Sequence, residues 1–476
     1  MAPDRELRSH FGTIRHLTDF EMDNSANHEQ KWKLAPGVYY RLAGENVYVR
    51  NVSTRYDYLF NPMVKDILDL LKEERTKDEL LAELGKTYAL KKSPNFGKEL
   101  DRFLDSLTQK GCLVANRPTI TASPKISDAE GHAKGWYQKN HRLWNACFEL
   151  TYLCNERCRH CYLDDPKANA AIGFLRFDVW KKVIDEIADM GCMNVLVTGG
   201  EPTLHPDFLN ICRHIVDRGM LLDIFTNALD ISDQLFDDIV ALHPNTVSFS
   251  LYGGTPEFHD WITQVPGSFE KSLKNILMFK CAGIAGYIKS VLFNGQSTEF
   301  LKLKRLCRRI GMDLRCGSFV AQGRSKNNQM DLNPDDATLW NWLEGEQDSD
   351  PIWQMESVPL RNPNENICGA GVFSISFRPD GAIVPCINYP TVAGDISHDS
   401  IQTIWKCSTV FESLRRTVFS DVSSNCANCV DSGFCHVCPG ISLTESGHLR
   451  PCSYSCHQAH LKHSFFDFNK SHGNVP

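Results

Sequence analysis

The sequence predicts an α/β fold in which a parallel sheet or barrel is flanked by a small α+β domain and a loop-rich domain. From residue 144 onward, buried strand patterns alternate with amphipathic helix patterns, as in repeated β–α units. Before that stretch, a hairpin pattern is followed by three helix patterns. After about residue 350 the periodicity is lost and cysteines become frequent.

Length and charge limit the class of protein. A chain of 476 residues is expected to form two to four domains. The net charge of -7 argues against nucleic acid as a general partner. Residues 1–19 are charged throughout, unlike a signal peptide, and no segment approaches the roughly 20 apolar residues of a membrane helix. We therefore expect a cytoplasmic protein that binds neither nucleic acid nor membrane.

The N-terminal part is expected to be an arm at 1–30, a small domain at 31–116 and a linker at 117–143. Within the domain, an Ala-Gly-Glu-Asn turn joins two strands, and Thr76 opens a helix with a capping box. The predicted strands are 38–42, 47–50 and 56–60, and the predicted helices are 63–72, 76–88 and 96–110. This order fits a winged-helix-like arrangement.

Residues 144–350 are expected to form the barrel. The predicted strands are 148–152, 195–198, 221–226, 247–251, 287–293 and one near residue 314. The helices between them are predicted at 179–190, 208–217, 235–242, 269–281 and 300–310. In such folds the functional loops gather at the carboxyl ends of the strands. Cys154 and the turn at 199–201 both follow strands, so both are expected on one rim.

The loop after the first strand carries Cys154, Cys158 and Cys161 at CxxxCxxC spacing, followed by Tyr162. Three thiolates would leave one iron of a 4Fe–4S cluster open to a ligand. The alternative, a zinc knuckle, favours CxxC pairs and a fourth protein ligand. In the Thr-Gly-Gly-Glu-Pro turn at 198–202, glycines would let the backbone approach a ligand closely.

The 19 cysteines are unusual for a chain without an export signal, and disulfides are rare in the cytosol. Nine of them fall in residues 351–476, where metal clusters would supply the order that periodicity does not. Zinc ribbons built from the two CxxC pairs are the alternative. Most of the isolated cysteines are expected in the core; they are Cys112, Cys147, Cys192, Cys212, Cys281, Cys307 and Cys316.

Over residues 145–325 these motifs resemble the radical S-adenosylmethionine superfamily. The resemblance implies a partial (β/α)6 barrel in which Cys154, Cys158 and Cys161 hold the catalytic cluster. It also implies that S-adenosylmethionine is cleaved to a 5′-deoxyadenosyl radical, with an electron from a flavodoxin or ferredoxin. The residues implied to contact S-adenosylmethionine are Tyr162 near adenine, Gly199, Gly200 and Glu201 at the methionyl amine, and Ser250 at the ribose.

The C-terminal cysteines resemble the SPASM extension, which holds two auxiliary 4Fe–4S clusters and would bring the total to three. The resemblance assigns Cys426, Cys429, Cys435 and either Cys452 or Cys456 to one auxiliary cluster. It assigns Cys368, Cys386 and Cys438 to the other, and leaves Cys407 without a ligand role.

The N-terminal domain resembles the precursor-recognition domain of enzymes that mature ribosomal peptides. There a leader peptide adds as a strand to a sheet edge, here expected near 56–60 beside the helix at 96–110. A structural cap on the barrel is the alternative.

Taken together, the three parts of the chain resemble a maturase that installs thioether cross-links in a peptide. In size and in the order of its domains, the chain resembles the maturases of the quinohemoprotein amine dehydrogenase small subunit. Carbon–carbon cross-linking is the nearest alternative. Sulfatase maturation is disfavoured because Ile387, not an acidic residue, follows Cys386. An alternative from another functional class is a DNA-binding redox regulator with iron–sulfur or zinc sites.

Overall fold

The computed structural model describes residues 30–88, 96–115, 128–320, 323, 332–347, 351–422, 426, 428–449 and 453–471. Residues 1–29 of the predicted arm, and Cys452, lie outside this part of the chain. The chain divides into unit 1, Met1–Asn140, and unit 2, His141–Pro476, and each is described by itself. None of the helices in the described ranges combines the length and the hydropathy that a membrane crossing needs.

Unit 1 contains two small antiparallel sheets and four helices among its described residues. The strands are β1 (Lys31–Leu34), β2 (Val38–Ala43), β3 (Asn46–Asn51), β4 (Tyr56–Phe60), β5 (Arg75–Thr76) and β6 (Leu113–Ala115). The helices are α1 (Met63–Leu70), α2 (Lys77–Thr87), α3 (Phe96–Gln109) and α4 (Ala129–Lys139). The sheet orders are β2-β3-β4 and β5-β1-β6.

The three strands and three helices predicted for this domain are present. At the start of α2, Thr76 Oγ1 accepts a hydrogen bond from the Glu79 backbone, and the Glu79 carboxylate accepts one from the Thr76 backbone. This is the capping box read from the sequence. Strands β1, β5 and β6 were not predicted, because two to four residues are too few to show a period.

The prediction of a linker at 117–143 was incomplete, because α4 lies within it. Ala129, Ala133 and Tyr137 recur every four residues and are buried, and the Tyr137 hydroxyl donates to the Leu42 carbonyl at 3.1 Å. Two glycines in the helix lower its intrinsic propensity, which hid the pattern. Packing on the sheet, rather than propensity, therefore holds α4.

Unit 2 is built on a sheet of nine strands in the order β12-β11-β10-β9-β8-β7-β13-β14-β15. The parallel strands are β7 (Asn145–Glu149), β8 (Asn194–Thr198), β9 (Leu221–Thr226), β10 (Thr246–Ser250), β11 (Tyr287–Val291) and β12 (Asp313–Gly317). The helices among them are α5 (Pro166–Ile172), α6 (Phe177–Asp189), α7 (Phe208–Asp217), α8 (Asp233–Ala241), α9 (Pro256–Thr263), α10 (Ser268–Cys281), α11 (Ser297–Ile310) and α12 (Asp336–Glu346). The predicted partial (β/α)6 barrel is thus confirmed.

The two faces of the barrel sheet differ in chemistry. Alternate residues such as Phe148, Ile224 and Ile288 pack against the helices in the main hydrophobic core. The intervening residues point to the concave face, since side chains alternate along a strand. That face carries polar groups such as Glu149 and Lys289.

The C-terminal segment is more regular than the loop-rich domain predicted for it. Strand β13 (Ser374–Phe377) pairs in parallel with β7, and β14 (Ala382–Val384) and β15 (Gly394–Asp395) extend the sheet in antiparallel fashion. The remaining helices are α13 (Ile401–Cys407), α14 (Thr409–Arg416), α15 (Phe419–Val422), α16 (Pro439–Ser446) and α17 (Ser453–Ser471). Most of these helices are shorter than three turns, so their periodicity is weak in the sequence.

Candidate functional site

The turn after β8 packs directly on the chain that leads to Cys154. Gly199 has a φ of 144°, and a Cβ there would lie 2.3 Å from the Thr151 carbonyl oxygen. A Cβ on Gly200 would lie 2.3 Å from the Leu153 carbonyl oxygen. The Gly200 N–H also donates to the Thr151 carbonyl at 2.7 Å. The glycines are therefore required by contact between two backbone segments, which sequence analysis did not foresee.

Glu201 connects this turn to the end of β9. Its buried carboxylate accepts hydrogen bonds from the Thr203 hydroxyl at 2.7 Å, the Thr226 hydroxyl at 2.8 Å and the Asn227 N–H at 2.8 Å. The Asn227 side chain then donates to Asn155 Oδ1 at 2.7 Å, inside the cysteine loop. The Glu201 carboxylate is thus engaged with protein donors, and its contact with the methionyl amine stays a prediction.

Helix α9 supports the cysteine loop from another side. The Arg157 N–H donates to the Thr263 carbonyl and the Arg159 N–H to the Ile262 carbonyl, both at 3.0 Å. The Arg159 guanidinium also lies 4.6 Å from the centre of the Trp261 ring. The cysteine loop is therefore bonded to α9 as well as to the end of β9.

The three thiols of the loop lie close enough to influence one another's charge. Burial, and to a lesser degree nearby negative groups including Cys161, raise the pKa of Cys154 to about 12. Burial also raises the pKa of Cys158 well above its usual value, and its thiol donates to Glu156 Oε2 at 3.3 Å. Iron binds the thiolate form, so loading a cluster must release these protons.

The arrangement fits a cluster better than a single metal ion. Across the described ranges, no three His, Cys, Asp or Glu side chains come together closely enough to hold one ion. Zinc would need four ligands at about 2.0–2.3 Å from one centre, whereas a 4Fe–4S cluster distributes its thiolates over several irons. Cys154, Cys158 and Cys161 lie on one loop, near enough to affect the pKa of Cys158, and three thiolates are the donor set that leaves one such iron open. The loop therefore fits the cluster that the resemblance implies.

Two buried atoms in the loop have no hydrogen-bond partner among the described residues, Glu156 Oε1 and His160 Nδ1. The centre of the His160 ring lies 4.5 Å from the centre of the Tyr252 ring and 5.3 Å from that of Phe293. Burial lowers the pKa of His160 to about 4. Burial raises the pKa of Glu156 to about 7. The sequence gives Glu156 no role, and it offers His160 only as a possible ligand in the zinc alternative, because only the cysteines follow a recognisable spacing.

Of the residues predicted to contact S-adenosylmethionine, Ser250 ends strand β10, and Tyr162 lies in the loop after the three cysteines and reaches the carboxyl end of β7 through its hydroxyl. The Tyr162 hydroxyl donates to Glu149 Oε1 at 2.7 Å, and Tyr152 donates to the other oxygen at 3.2 Å. Glu149 is fully buried at the end of β7 and was missed from the sequence. Ser250 is the last residue of β10 and lies beside Lys289 in the sheet register.

In the C-terminal segment, three of the predicted cluster cysteines come together. Burial first, and then the charges of Cys438 and Cys368, raise the pKa of Cys386 to about 12. Burial and the charge of Cys438 likewise raise the pKa of Cys368. Gly381, with a φ of 91°, forms the turn between β13 and β14 that precedes Cys386.

A second set gathers around Cys435. Burial, and then the charges of Cys456, Cys426 and Cys429, raise its pKa to about 11. Cys456 lies on α17, whereas Cys407 is exposed at the end of α13. The two sets coincide with the two groups of ligands expected from the sequence, and their roles as ligands stay predictions. Of the isolated cysteines, Cys112, Cys192, Cys212 and Cys307 are buried as expected, and Cys281 is exposed.

Comparison with known families decides the class of site. The model of the radical SAM superfamily matches residues 148–307, and the iron–sulfur cluster-binding model SPASM matches residues 368–430. The chain carries a radical SAM domain followed by a SPASM domain. It is accordingly an enzyme, and its cofactors are S-adenosylmethionine and 4Fe–4S clusters.

Relatives of this radical SAM–SPASM chain extend the comparison. It is 29% identical over 297 residues to the mycofactocin maturase MftC of Mycobacterium tuberculosis, covering 59% of this chain and 75% of the relative. It is 25% identical over 421 residues to the antilisterial bacteriocin subtilosin biosynthesis protein AlbA of Bacillus subtilis. That match covers 85% of this chain and 90% of the relative. The crystal structure of Streptococcus suis SuiB bound to precursor peptide SuiA superimposes with a TM-score of 0.57 at 16% sequence identity. The superposition covers 89% of this chain and 99% of the SuiB chain.

Proposed function

We propose that this protein binds a ribosomally made peptide and joins a cysteine sulfur of that peptide to an unactivated carbon. Bound S-adenosylmethionine would supply the radical that removes a hydrogen atom from that carbon. The names of MftC and AlbA, a maturase and a bacteriocin biosynthesis protein, and the peptide bound by SuiB support a peptide substrate. The observation that carries the proposal is a sheet edge in unit 1.

That edge is strand β4. It pairs with β3 on one side, and no strand in the described part of the chain pairs with its other side. An unpaired edge presents backbone N–H and C=O groups to an incoming strand. The broad face of the sheet is less suited, because α4 packs there through Tyr137, whose hydroxyl bonds to Leu42. A leader peptide would therefore add at the edge, as in β-augmentation.

Aromatic side chains lie between β4 and α3. The rings of Phe60 and Phe103 meet edge to face with centres 5.7 Å apart, and both are partly exposed. The Lys110 ammonium lies 5.8 Å from the centre of the Tyr58 ring. Such half-buried aromatic groups would give pockets for alternate side chains of an added strand.

The finer proposal is a thioether maturase of the quinohemoprotein amine dehydrogenase type, cytoplasmic and reduced by a flavodoxin or ferredoxin. This finer proposal is supported by the order of the N-terminal domain, the barrel and the cysteine-rich segment, and by the spacing of the C-terminal cysteines. Carbon–carbon cross-linking is the second candidate, since the same radical step serves both reactions. A DNA-binding regulator is disfavoured, because the radical SAM domain makes the chain an enzyme.

The test uses the reconstituted full chain with S-adenosylmethionine, a reductant and a short cysteine-bearing peptide encoded next to the gene. We expect 5′-deoxyadenosine to form, and the peptide to lose two hydrogen atoms and one alkylatable thiol per cross-link. A peptide that loses the hydrogens but keeps every thiol would support the carbon–carbon reaction instead. Absence of 5′-deoxyadenosine would contradict the proposal as a whole.

A further inference from the structure

Two positive side chains stand next to each other on the concave face of the barrel. Lys289 on β11 and Arg315 on β12 are register partners in parallel strands, which lie about 4.8 Å apart. Both face the concave side, because their neighbours Ile288 and Leu314 pack into the core behind the sheet. Like charges opposite each other destabilise a sheet, and Lys289, which is only partly exposed, is screened by solvent less than the exposed Arg315.

None of the ion pairs found among the described residues includes Lys289 or Arg315. Each cation instead lies over an aromatic ring. The Lys289 ammonium is 3.8 Å from the centre of the Phe225 ring, and the Arg315 guanidinium carbon is 3.7 Å from that of Tyr287.

Two acidic residues on the same sheet are already engaged. Glu149 accepts bonds from the hydroxyls of Tyr152 and Tyr162. Asp223 accepts bonds from the side chains of Asn194, Asn245 and Thr246. Lys289 therefore has no ion-pair partner among the residues that the structure describes, and a negatively charged ligand that enters the barrel would supply one.

The position of Lys289 relates it to the chemistry proposed above. In the sheet register it lies beside Ser250, a residue predicted to contact S-adenosylmethionine. Its charge also interacts with Cys147, and Cys147 in turn interacts with Cys386, a predicted auxiliary-cluster ligand. Lys289 thus lies between the expected source of the radical and the expected auxiliary cluster.

We propose that Lys289 is a catalytic residue that takes the proton from the substrate's cysteine thiol, and that Arg315 helps to hold the resulting thiolate. The inference rests on the proposed thioether function. The step breaks the S–H bond and forms an N–H bond at Nζ, so that a neutral thiol and amine become a thiolate and an ammonium. It requires no oxidant.

A thiol fits this place better than a carboxylate. Burial, and then the nearby Arg315 charge, lower the pKa of Lys289 to about 8, close to the value of about 8.5 for a free cysteine. Proton transfer between groups of matched pKa is efficient. A carboxyl group, with a pKa near 4, has already lost its proton at neutral pH and needs no acceptor. Arginine keeps its proton, so only Lys289 of the pair can be the acceptor.

The test measures how fast Lys289 is reductively methylated in the wild-type holoprotein with S-adenosylmethionine bound, using mass spectrometry of its peptide. The probe is N-acetylcysteine amide, and the exposed Lys271 on α10 is the internal reference for reagent loss. Only the neutral amine reacts. Transfer of a proton from the probe is expected to slow labelling about tenfold, the effect of raising the lysine pKa by one unit.

N-acetylserine amide, which has the same shape but no ionisable thiol, should leave the rate unchanged. Equal protection by the serine compound, or by N-acetylaspartate amide, would overturn the proposal, and so would an unchanged rate with the cysteine compound. The measurement does not depend on turnover. If capped cysteine protects Lys289 while no peptide gains a thioether, the proton acceptor stands and the proposed function fails.

Discussion

At the scale of single residues, the glycine turn shows how one missing side chain supports a cofactor site. The close approach of Gly200 to the Leu153 carbonyl leaves no room for a methyl group, and both partners are backbone, which cannot rotate away. The turn therefore acts as a support for the loop that carries Cys154.

Replacing Gly200 with alanine should displace that loop and prevent the radical cluster from assembling. We expect the iron content of reconstituted protein to fall from about twelve to about eight per chain, because one of three 4Fe–4S clusters is lost. The matched control is Gly135→Ala in α4, where a Cβ meets nothing within 4 Å. Full iron in Gly200→Ala would show that the loop tolerates the shift.

Lys289 is a residue whose burial as an ammonium destabilises the folded protein. Its pKa of about 8 in the folded protein lies below the value of about 10.4 for an unfolded lysine. Between these values the unfolded chain binds the extra proton, so stability rises with pH through this window and the cost is complete below pH 8. Lys289→Met should raise the free energy of unfolding by on the order of 2 kcal/mol at pH 7 and make little difference above about pH 10.

Apparent melting temperatures of both proteins at pH 7 and pH 10 measure this effect. The control is Lys271→Met on the exposed face of α10, which should melt like the wild type at both values. A lower melting temperature of Lys289→Met at pH 7 would mean that the ammonium stabilises the fold through its aromatic contact with Phe225.

At the scale of elements, α17 brings Cys456 to a cluster site whose other predicted ligands, Cys426, Cys429 and Cys435, come before the helix in the chain. Cys456→Ser should lower the iron content by about four atoms per chain and remove one signal from the electron paramagnetic resonance spectrum. Cys407→Ser, at an exposed position on α13, should keep all of its iron. An intact cluster in Cys456→Ser would assign the fourth ligand to Cys452.

The elements also show what the sequence can reveal. Helix α7 and strand β9 were predicted with the bounds that the structure has, because their apolar residues repeat cleanly and glycine ends the helix. The first barrel strand was predicted at 148–152 but is Asn145–Glu149. The residues after Glu149 are apolar too, yet they bond to the glycine turn rather than continue the ladder.

Within the site, motif spacing identified the cysteines, glycines and Ser250 but not their supports. Glu149 and Lys289 are single polar residues inside apolar strands or at their ends. Nothing in the sequence distinguishes such a residue from one that faces solvent, since both alternate with buried neighbours. Their roles follow only from register and from the partners that tertiary contacts provide.

At the scale of the whole molecule, unit 1 and the segment around the predicted auxiliary clusters differ in what stabilises them. Unit 1 has a continuous apolar core, whereas the segment around the predicted auxiliary clusters has small groups such as Ile367, Phe419, Val422 and Val437. Removing iron should therefore lower the protection of backbone amides from hydrogen exchange in α15 to α17, whereas the amides of α2 and α3 should stay protected. Uniform loss of protection in the apoprotein would contradict this division.

The pairing of β13 with β7 has a consequence for how this protein can be cut and recombined. Phe377 lies in register with Phe148, so the strand that leads into the radical cluster loop depends on a strand from beyond residue 370. A fragment ending at residue 350 would leave the five-residue strand β7 as a sheet edge, open to pairing with other chains. The radical SAM and SPASM labels therefore name motifs within one folding unit, and chimaeras should exchange residues 141–476 as a block.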